Sequence, residues 1–327
     1  AVAAAAGRRQ TLVLLASGVV AAAGRPRPGT LGRVEFVPLG VSAGDGDLFF
    51  FPTWRHWCGR SDVRVKDFMG SGEKALALMT DGTAVRFGGE DGSGIRWRRV
   101  GAEAPVKAIA QGDDHSLFLT ATGKVFAEGA NDRGQLGIGV SWDLSWQLQL
   151  LGLPVTAVAA GRAHSLFLRA DGAVFAAGAN EQGQLGLNSL EDSGDGRVDL
   201  PGPAVGVAAG ASHSLFLLAT GQPYAAGDNW RLQLGPGVTG FRRAELVRNS
   251  LGKVVAVMAE GHISVFMRAD GWSWTNLPFA RGGSLLSQRF AAGDGMRRTR
   301  DLLPEQPLLT LGMRLARMLR SERRGKT

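Results

Sequence analysis

The chain has one cysteine, Cys58, among its 327 residues, and only five histidines. A lone thiol excludes an intramolecular disulfide and any cysteine-rich metal site, and it fits a reducing compartment. No run approaches the roughly 18 consecutive apolar residues of a membrane-spanning helix. Gly92-Ser-Gly94 is not followed by the Gly-Lys-Ser/Thr of a phosphate loop. The one segment with the look of a secretory leader is residues 8–23, where Arg8-Arg9 precede an apolar run ending in Ala21-Ala-Ala23. Those same residues match an internal repeat position by position, so they read as strands.

Glycine, in contrast, is plentiful at 48 residues, and a self-similar segment accounts for much of it. Gly112-Asp-Asp-His115-Ser-Leu-Phe-Leu-Thr-Ala-Thr-Gly123 recurs as Gly161-Arg-Ala-His164-Ser-Leu-Phe-Leu-Arg-Ala-Asp-Gly172 and as Gly210-Ala-Ser-His213-Ser-Leu-Phe-Leu-Leu-Ala-Thr-Gly221. The histidines are 49 residues apart each time, and a fixed period of that length dictates architecture. Each copy continues to a second motif, Asn131-Asp-Arg-Gly134-Gln-Leu-Gly137 and Asn180-Glu-Gln-Gly183-Gln-Leu-Gly186. The third is decayed, Asn229-Trp-Arg-Leu-Gln-Leu-Gly235, with Leu232 where Gly134 and Gly183 stand.

The apolar runs are too short for helices. Ser116–Leu119 and Val125–Ala127 read as two strands joined by a hairpin whose glycine supplies a positive φ. Leu117, Phe118 and Leu119 are apolar without alternation, which predicts a strand covered on both faces. Weaker copies flank the good ones. Residues 7–24 match with Gln10 in the histidine slot, 44–59 form a degenerate copy with a shortened hairpin, and 75–89 form a third, preceded by Lys74 in the slot. A last copy runs to Gly271. Alignment on its hairpin places Ile263, not His262, in the slot. Seven copies suit a closed β-propeller, which leaves only short sheet edges. Because Ala1–Gly7 corresponds to Val155–Gly161, the chain is expected to start inside a repeat, with residues 272–290 completing the ring beside it. The interval from Gly44 to Ser71 is half a period, so that blade is either reduced or lacks residues.

The pattern Gly-x-x-His-Ser, Leu-x-x-Asp/Thr-Gly, Gly-x-Asn-x-x-Gly-Gln-Leu-Gly resembles the regulator of chromosome condensation 1 (RCC1) repeat, most specifically over residues 106–240. The resemblance is weaker over 1–105 and 241–280, and it implies an all-β, seven-bladed RCC1-like propeller over residues 1–280; residues 281–327 lie outside it and read, from their charge and spacing, as a basic, partly helical C-terminal extension. It also implies a loop-surface function. One prototype of the family is a guanine nucleotide exchange factor for a small GTPase, and no segment here maps onto its active loops. Another is a plant ultraviolet sensor with a recurring Gly-Trp-Arg-His. Trp54-Arg55-His56 approaches that motif once, without the glycine.

The candidate chemistry is sparse. His115, His164 and His213, with Gly112, Gly161, Gly210, Gly134 and Gly183, are repeat positions, and a residue recurring once per blade reads as structural. Asp113-Asp114 beside His115 suggests an acid–base pair, but the equivalents are Arg162-Ala163 and Ala211-Ser212. No catalytic, cofactor or metal residues are therefore assigned, and the chain is read as non-enzymatic. The net charge of +8 sits in the tail, where residues 281–327 hold eleven basic and four acidic residues; the remainder holds 26 and 25. Leu308, Leu311, Leu315, Met318 and Leu319 recur at helical spacing, with Arg314, Arg317, Arg320 and Arg324 opposite. Either that helix docks on the propeller, or it and Arg297, Arg298 and Arg300 meet phosphates or an acidic protein surface. A membrane-surface helix is the least favoured reading. Residues 141–151, with Trp142 and Trp146, read either as an ordinary outer strand or as an exposed loop whose tryptophans anchor a protein contact.

The expectation is a scaffold contacting other proteins of a multi-subunit assembly, and rRNA through the arginine tail, most specifically in an organellar ribonucleoprotein such as a mitochondrial ribosome. A start at Ala1 without Met fits removal of an organelle transit peptide, or a fragment of a longer chain. Mitochondrial localisation is the first reading, nuclear or cytoplasmic the alternative. An exchange factor and a chromatin-binding propeller are the rival functions.

Overall fold

The computed structural model describes residues 74–87, 104–137, 154–238 and 251–276, with further strands at Ala3–Ala6, Gln10–Leu14, Val20–Gly24, Leu48–Phe50, Val65–Ser71, Trp97–Arg99, Glu245–Leu246 and Met296–Arg298. No α-helix occurs among the described residues. The chain forms two compact units that divide between Gln111 and Gly112.

The first unit contains two four-stranded antiparallel sheets. One is β1 (Ala3–Ala6), β2 (Gln10–Leu14), β3 (Val20–Gly24) and β4 (Leu48–Phe50) in that order; the other is β5 (Val65–Ser71), β6 (Lys74–Met79), β7 (Ala84–Phe87) and β8 (Trp97–Arg99). β9 (Val106–Gln111) follows. Gln10 and Lys74 open β2 and β6, the position their slot predicts. One expectation changes here. Leu48–Phe50 is not the inner strand of its own blade: it pairs with β3 as the fourth strand of the first sheet. The 44–59 interval is too short to form four strands, and its Leu-Phe-Phe run meets the open edge left by β3. Ala3–Ala6 is the first strand of its sheet and pairs Ala3 to Leu14, as Val155–Ala160 is the first strand of its own, which matches the correspondence of Ala1–Gly7 to Val155–Gly161.

The second unit begins with the hairpin β10 (His115–Thr120) and β11 (Val125–Gly129). Three four-stranded sheets follow, each in chain order. They are β12 (Val155–Ala160), β13 (His164–Arg169), β14 (Val174–Gly178), β15 (Ser193–Arg197); β16 (Ala204–Ala209), β17 (His213–Leu218), β18 (Pro223–Gly227), β19 (Glu245–Leu246); and β20 (Val254–Glu260), β21 (Ile263–Arg268), β22 (Trp272–Thr275), β23 (Met296–Arg298). Residues 272–275 form β22 and pair with β23, which lies inside the segment assigned to the extension; residues 277–290, expected to complete the ring, lie outside the described residues. The amphipathic helix expected at 308–319 lies outside the described residues.

Every residue of β10 and β17 is buried, as an apolar run without alternation requires. Phe118, Phe167, Phe216 and Phe266 occupy one register position in successive sheets and are fully buried. Leu166, Leu168, Val174 and Ala176 of one sheet form a single cluster with Ala204, Ala209, Phe216 and Leu218 of the next. The core therefore lies between sheets that face each other, and each phenylalanine truncated to alanine costs about 3–5 kcal/mol. The pairing of first and second strands shifts register at the same place each time, between Val155 and Ala157, Ala204 and Gly206, and Val254 and Ala256. Such a repeated bulge gives each sheet the same local twist.

The hairpin glycine joins neighbouring sheets as well as turning the chain. Gly172 has φ +83°, and a Cβ there would lie 2.5 Å from the Pro203 Cβ. Its carbonyl accepts the Ala204 N–H at 2.8 Å, just as the Gly123 carbonyl accepts that of Val155 at 2.9 Å. Each hairpin thereby fixes the start of the next sheet.

Candidate functional site

Each repeated histidine opens an inner strand, and its ring reaches the next sheet. His115 Nε2 lies 2.9 Å from Ser165 Oγ, His164 Nε2 lies 3.0 Å from Ser214 Oγ, and His213 Nε2 lies 2.8 Å from Ser264 Oγ. Each serine is the residue that follows the slot in the neighbouring copy. Each hydroxyl donates in turn to a backbone carbonyl at 2.6 Å: Ser165 to Gln135, Ser214 to Gln184 and Ser264 to Gln233. Since a hydroxyl has one proton and it is spent on the carbonyl, Nε2 must be the donor to Oγ. The rings are therefore neutral Nε2–H tautomers. Complete burial agrees, pushing His115 down to about 4 and His164 and His213 down to about 3.

The Gly-x-x-His spacing has a steric cause. A Cβ on Gly161 would fall 2.2 Å from His164 Cε1 and 2.4 Å from the Gly210 carbonyl oxygen, and Gly112 and Gly210 are as tightly covered by their own histidines. The ring sits against the glycine, so a Cβ there would collide with it. In the last copy Ile263 takes the strand position while His262 is exposed. The relay therefore ends at Ser264.

The Asn-x-x-Gly-Gln-Leu-Gly motif is a turn held from within. Asn180 Oδ1 accepts the Leu185 N–H at 3.0 Å, and its Nδ2 donates to the carbonyls of Ser189 and Glu191. Gln184 Oε1 accepts the Gln182 N–H at 2.9 Å. Asn131 and Gln135, and Asn229 and Gln233, repeat the arrangement. Gly134 and Gly183 take φ +78° and +79° at its centre. The residues between Asn and Gly point outward and vary. Arg133 donates to Glu181 at 2.7 Å and Asp192 at 3.0 Å, which raises its pKa. In the third copy Trp230 stands where Glu181 does, with 83% of its surface exposed, and Leu232 adopts φ +60° in place of glycine.

Asp113 and Asp114 do not form an acid–base pair with His115, whose Nε2 faces Ser165; Asp113 instead lies 3.4 Å from Arg162 Nε. Arg297 and Arg298 pair with Ser273 and Trp272 in β23. Arg300, Arg314, Arg317, Arg320, Arg324, Trp142 and Trp146 lie outside the described residues. Among the described residues no group of three or more histidine, cysteine or acidic side chains is placed to hold a metal.

Two family models of the regulator of chromosome condensation (RCC1) repeat match the chain, one over residues 106–135 and 155–184, the other over 122–168 and 171–217. The chain carries RCC1 repeats over residues 106–217. Its RCC1 repeats are thus the copies built around His115, His164 and His213. Among solved structures, this RCC1-repeat chain is similar to yeast RCC1 (Prp20) bound to Kap60, at 23% identity and TM-score 0.67, covering 83% of this chain and 68% of that one. Human WBSCR16 is similar at 22% identity and TM-score 0.69, covering 83% and 75%. A second structure of Prp20p from Saccharomyces cerevisiae, described with its binding properties to Gsp1p and histones, aligns at 23% identity and TM-score 0.65, with 83% and 70% covered. These likenesses assign the all-β RCC1-like propeller fold. No curated protein sequence matches the chain.

The histidine partner was the feature sequence reasoning missed. The signal was present in the His-Ser dipeptide: two polar residues at the start of an otherwise apolar buried strand each need a partner, and the 49-residue period supplies one in the next copy.

Proposed function

We propose that this RCC1-repeat chain is a non-enzymatic scaffold whose outward turns and loops contact other proteins of a larger assembly. What carries the reading is the division of labour in the repeat. The buried histidines, serines and glutamine carbonyls are consumed in joining sheets, while positions that vary between copies are exposed, such as Glu181, Gln182, Trp230 and Arg231. A histidine held neutral to about pH 4 is a poor general base at neutrality, since that role needs a pKa near the working pH. Interaction surfaces are what a constant frame with variable loops provides.

The specific version is an organellar ribonucleoprotein such as a mitochondrial ribosome. It is supported by the net +7 of residues 281–327, because clustered arginines suit phosphate contacts. Deleting residues 303–327 spares the strand Met296–Arg298 and tests this directly. The truncated chain is expected to fold and to leave the assembly; retention at the wild-type level would count against the tail.

The second reading is an exchange factor for a small GTPase or a chromatin-binding propeller. It is favoured by similarity to Prp20p, the yeast protein described as binding Gsp1p and histones. Accelerated nucleotide release from a small GTPase, or steeply salt-dependent binding to duplex DNA, would move it ahead.

A further inference from the structure

We propose that the turn Asn229–Gly235 of the third repeat is a docking point for an apolar, acidic segment of a protein partner, with Trp230 and Leu232 as apolar anchors and Arg231 as the cation between them. The inference rests on the scaffold reading above and names its surface. Of the four large hydrophobic side chains exposed among the described residues, two are Trp230 at 83% and Leu232 at 38%, two positions apart in this one turn. The turn beneath them is intact. Asn229 Oδ1 accepts the Leu234 N–H at 3.1 Å, Gln233 Oε1 accepts the Arg231 N–H at 2.7 Å, and Asp228 accepts from both Trp230 N and Gln233 Nε2. The exposed residues are therefore displayed by a fixed backbone and do not result from a collapsed repeat.

Both substitutions run against what the repeat does elsewhere. The turns at 131–137 and 180–186 place glycine at the left-handed position, whereas Leu232 holds φ +60° there, a conformation that disfavours a branched side chain. Glu181, the counterpart of Trp230, is bound by Arg133 of the preceding turn. At the next step Arg133 is replaced by Gln182, so the ion pair across neighbouring turns is absent and an indole takes its place. Strain and a water-exposed indole are costs without a return inside the fold. Tryptophan and arginine are both enriched among the residues that dominate binding at the centres of protein interfaces.

Charge decides the partner's chemistry. Arg231 is exposed, and no carboxylate among the described residues lies within ion-pair distance of it. A complementary segment supplies apolar side chains for Trp230 and Leu232 and a carboxylate for the guanidinium between them. Single-stranded RNA fits less well, because tracking a phosphate backbone takes several cations and this turn has one, next to an aliphatic leucine.

The test uses the full chain and a labelled synthetic peptide of alternating leucine and glutamate pairs, with a lysine-for-glutamate counterpart and a polyuridine oligomer alongside. The acidic peptide is expected to bind, to lose about tenfold or more in affinity with Trp230→Ala, and to exchange preference with its lysine counterpart on Arg231→Glu. Leu232→Gly, which restores the residue of the sister turns, should weaken binding with the fold unchanged. Equal affinity across the variants, no binding by the wild type, or Trp230-dependent binding of polyuridine would each overturn the proposal. Sedimentation of the Trp230→Ala chain from cell extract separates the two levels: a variant that still travels with partners removes this surface and leaves the scaffold reading, whereas a wild type that travels alone removes the scaffold reading itself.

Discussion

Ser214 accepts a hydrogen bond from His164 and donates one to the Gln184 carbonyl, all within buried surroundings. Ser214→Ala strands a ring N–H and a carbonyl together, and each unsatisfied buried group costs about 1–3 kcal/mol. A loss of at least ~2 kcal/mol in urea unfolding is expected, with less than additive loss on combining it with a His164 replacement. Gly161→Ala should be worse, since its Cβ would meet both the His164 ring and the Gly210 carbonyl. The same relay sets a pH dependence. The folded-state values of the three histidines, about 4, 3 and 3, lie below the ordinary 6.5. Between those values the unfolded chain binds more protons than the folded one. Stability is therefore complete above about pH 6.5 and falls as pH drops toward 4. Urea midpoints at pH 7 and pH 5 should differ in that direction, and His164→Gln should flatten the slope.

At the level of the element, the turn at Asn229–Gly235 makes a separate prediction. A leucine at φ +60° costs about 1–2 kcal/mol relative to the right-handed region. Glycine removes that strain but adds freedom to the unfolded chain, so Leu232→Gly should leave stability unchanged or raise it by up to about 1 kcal/mol. Hairpins of this kind were the most legible features of the sequence. Apolar tripeptides such as Leu117-Phe118-Leu119 with a Thr-Gly or Asp-Gly turn allow one reading, and strand, turn and burial follow from local pattern alone. Leu48-Phe49-Phe50 carries the same local pattern and became an outer strand instead. What fixed its place was the number of residues around it, a non-local constraint that composition does not reveal. The histidine relay was half legible. Its structural role followed from repetition, but its acceptor sits some 50 residues away. Pairings at that separation can be read only when both partners are seen to lack one nearby.

For the whole molecule, the account separates a repeated interior that joins sheets from exterior positions that differ copy by copy. On the scaffold reading proposed above, the basic excess of residues 281–327 would meet phosphate or carboxylate on a partner. If that reading holds, the native protein should not travel alone. Gradient sedimentation of the protein from cell extract, with and without ribonuclease, tests this most directly. The account predicts a heavy particle that ribonuclease disperses; a light species under both conditions would contradict it.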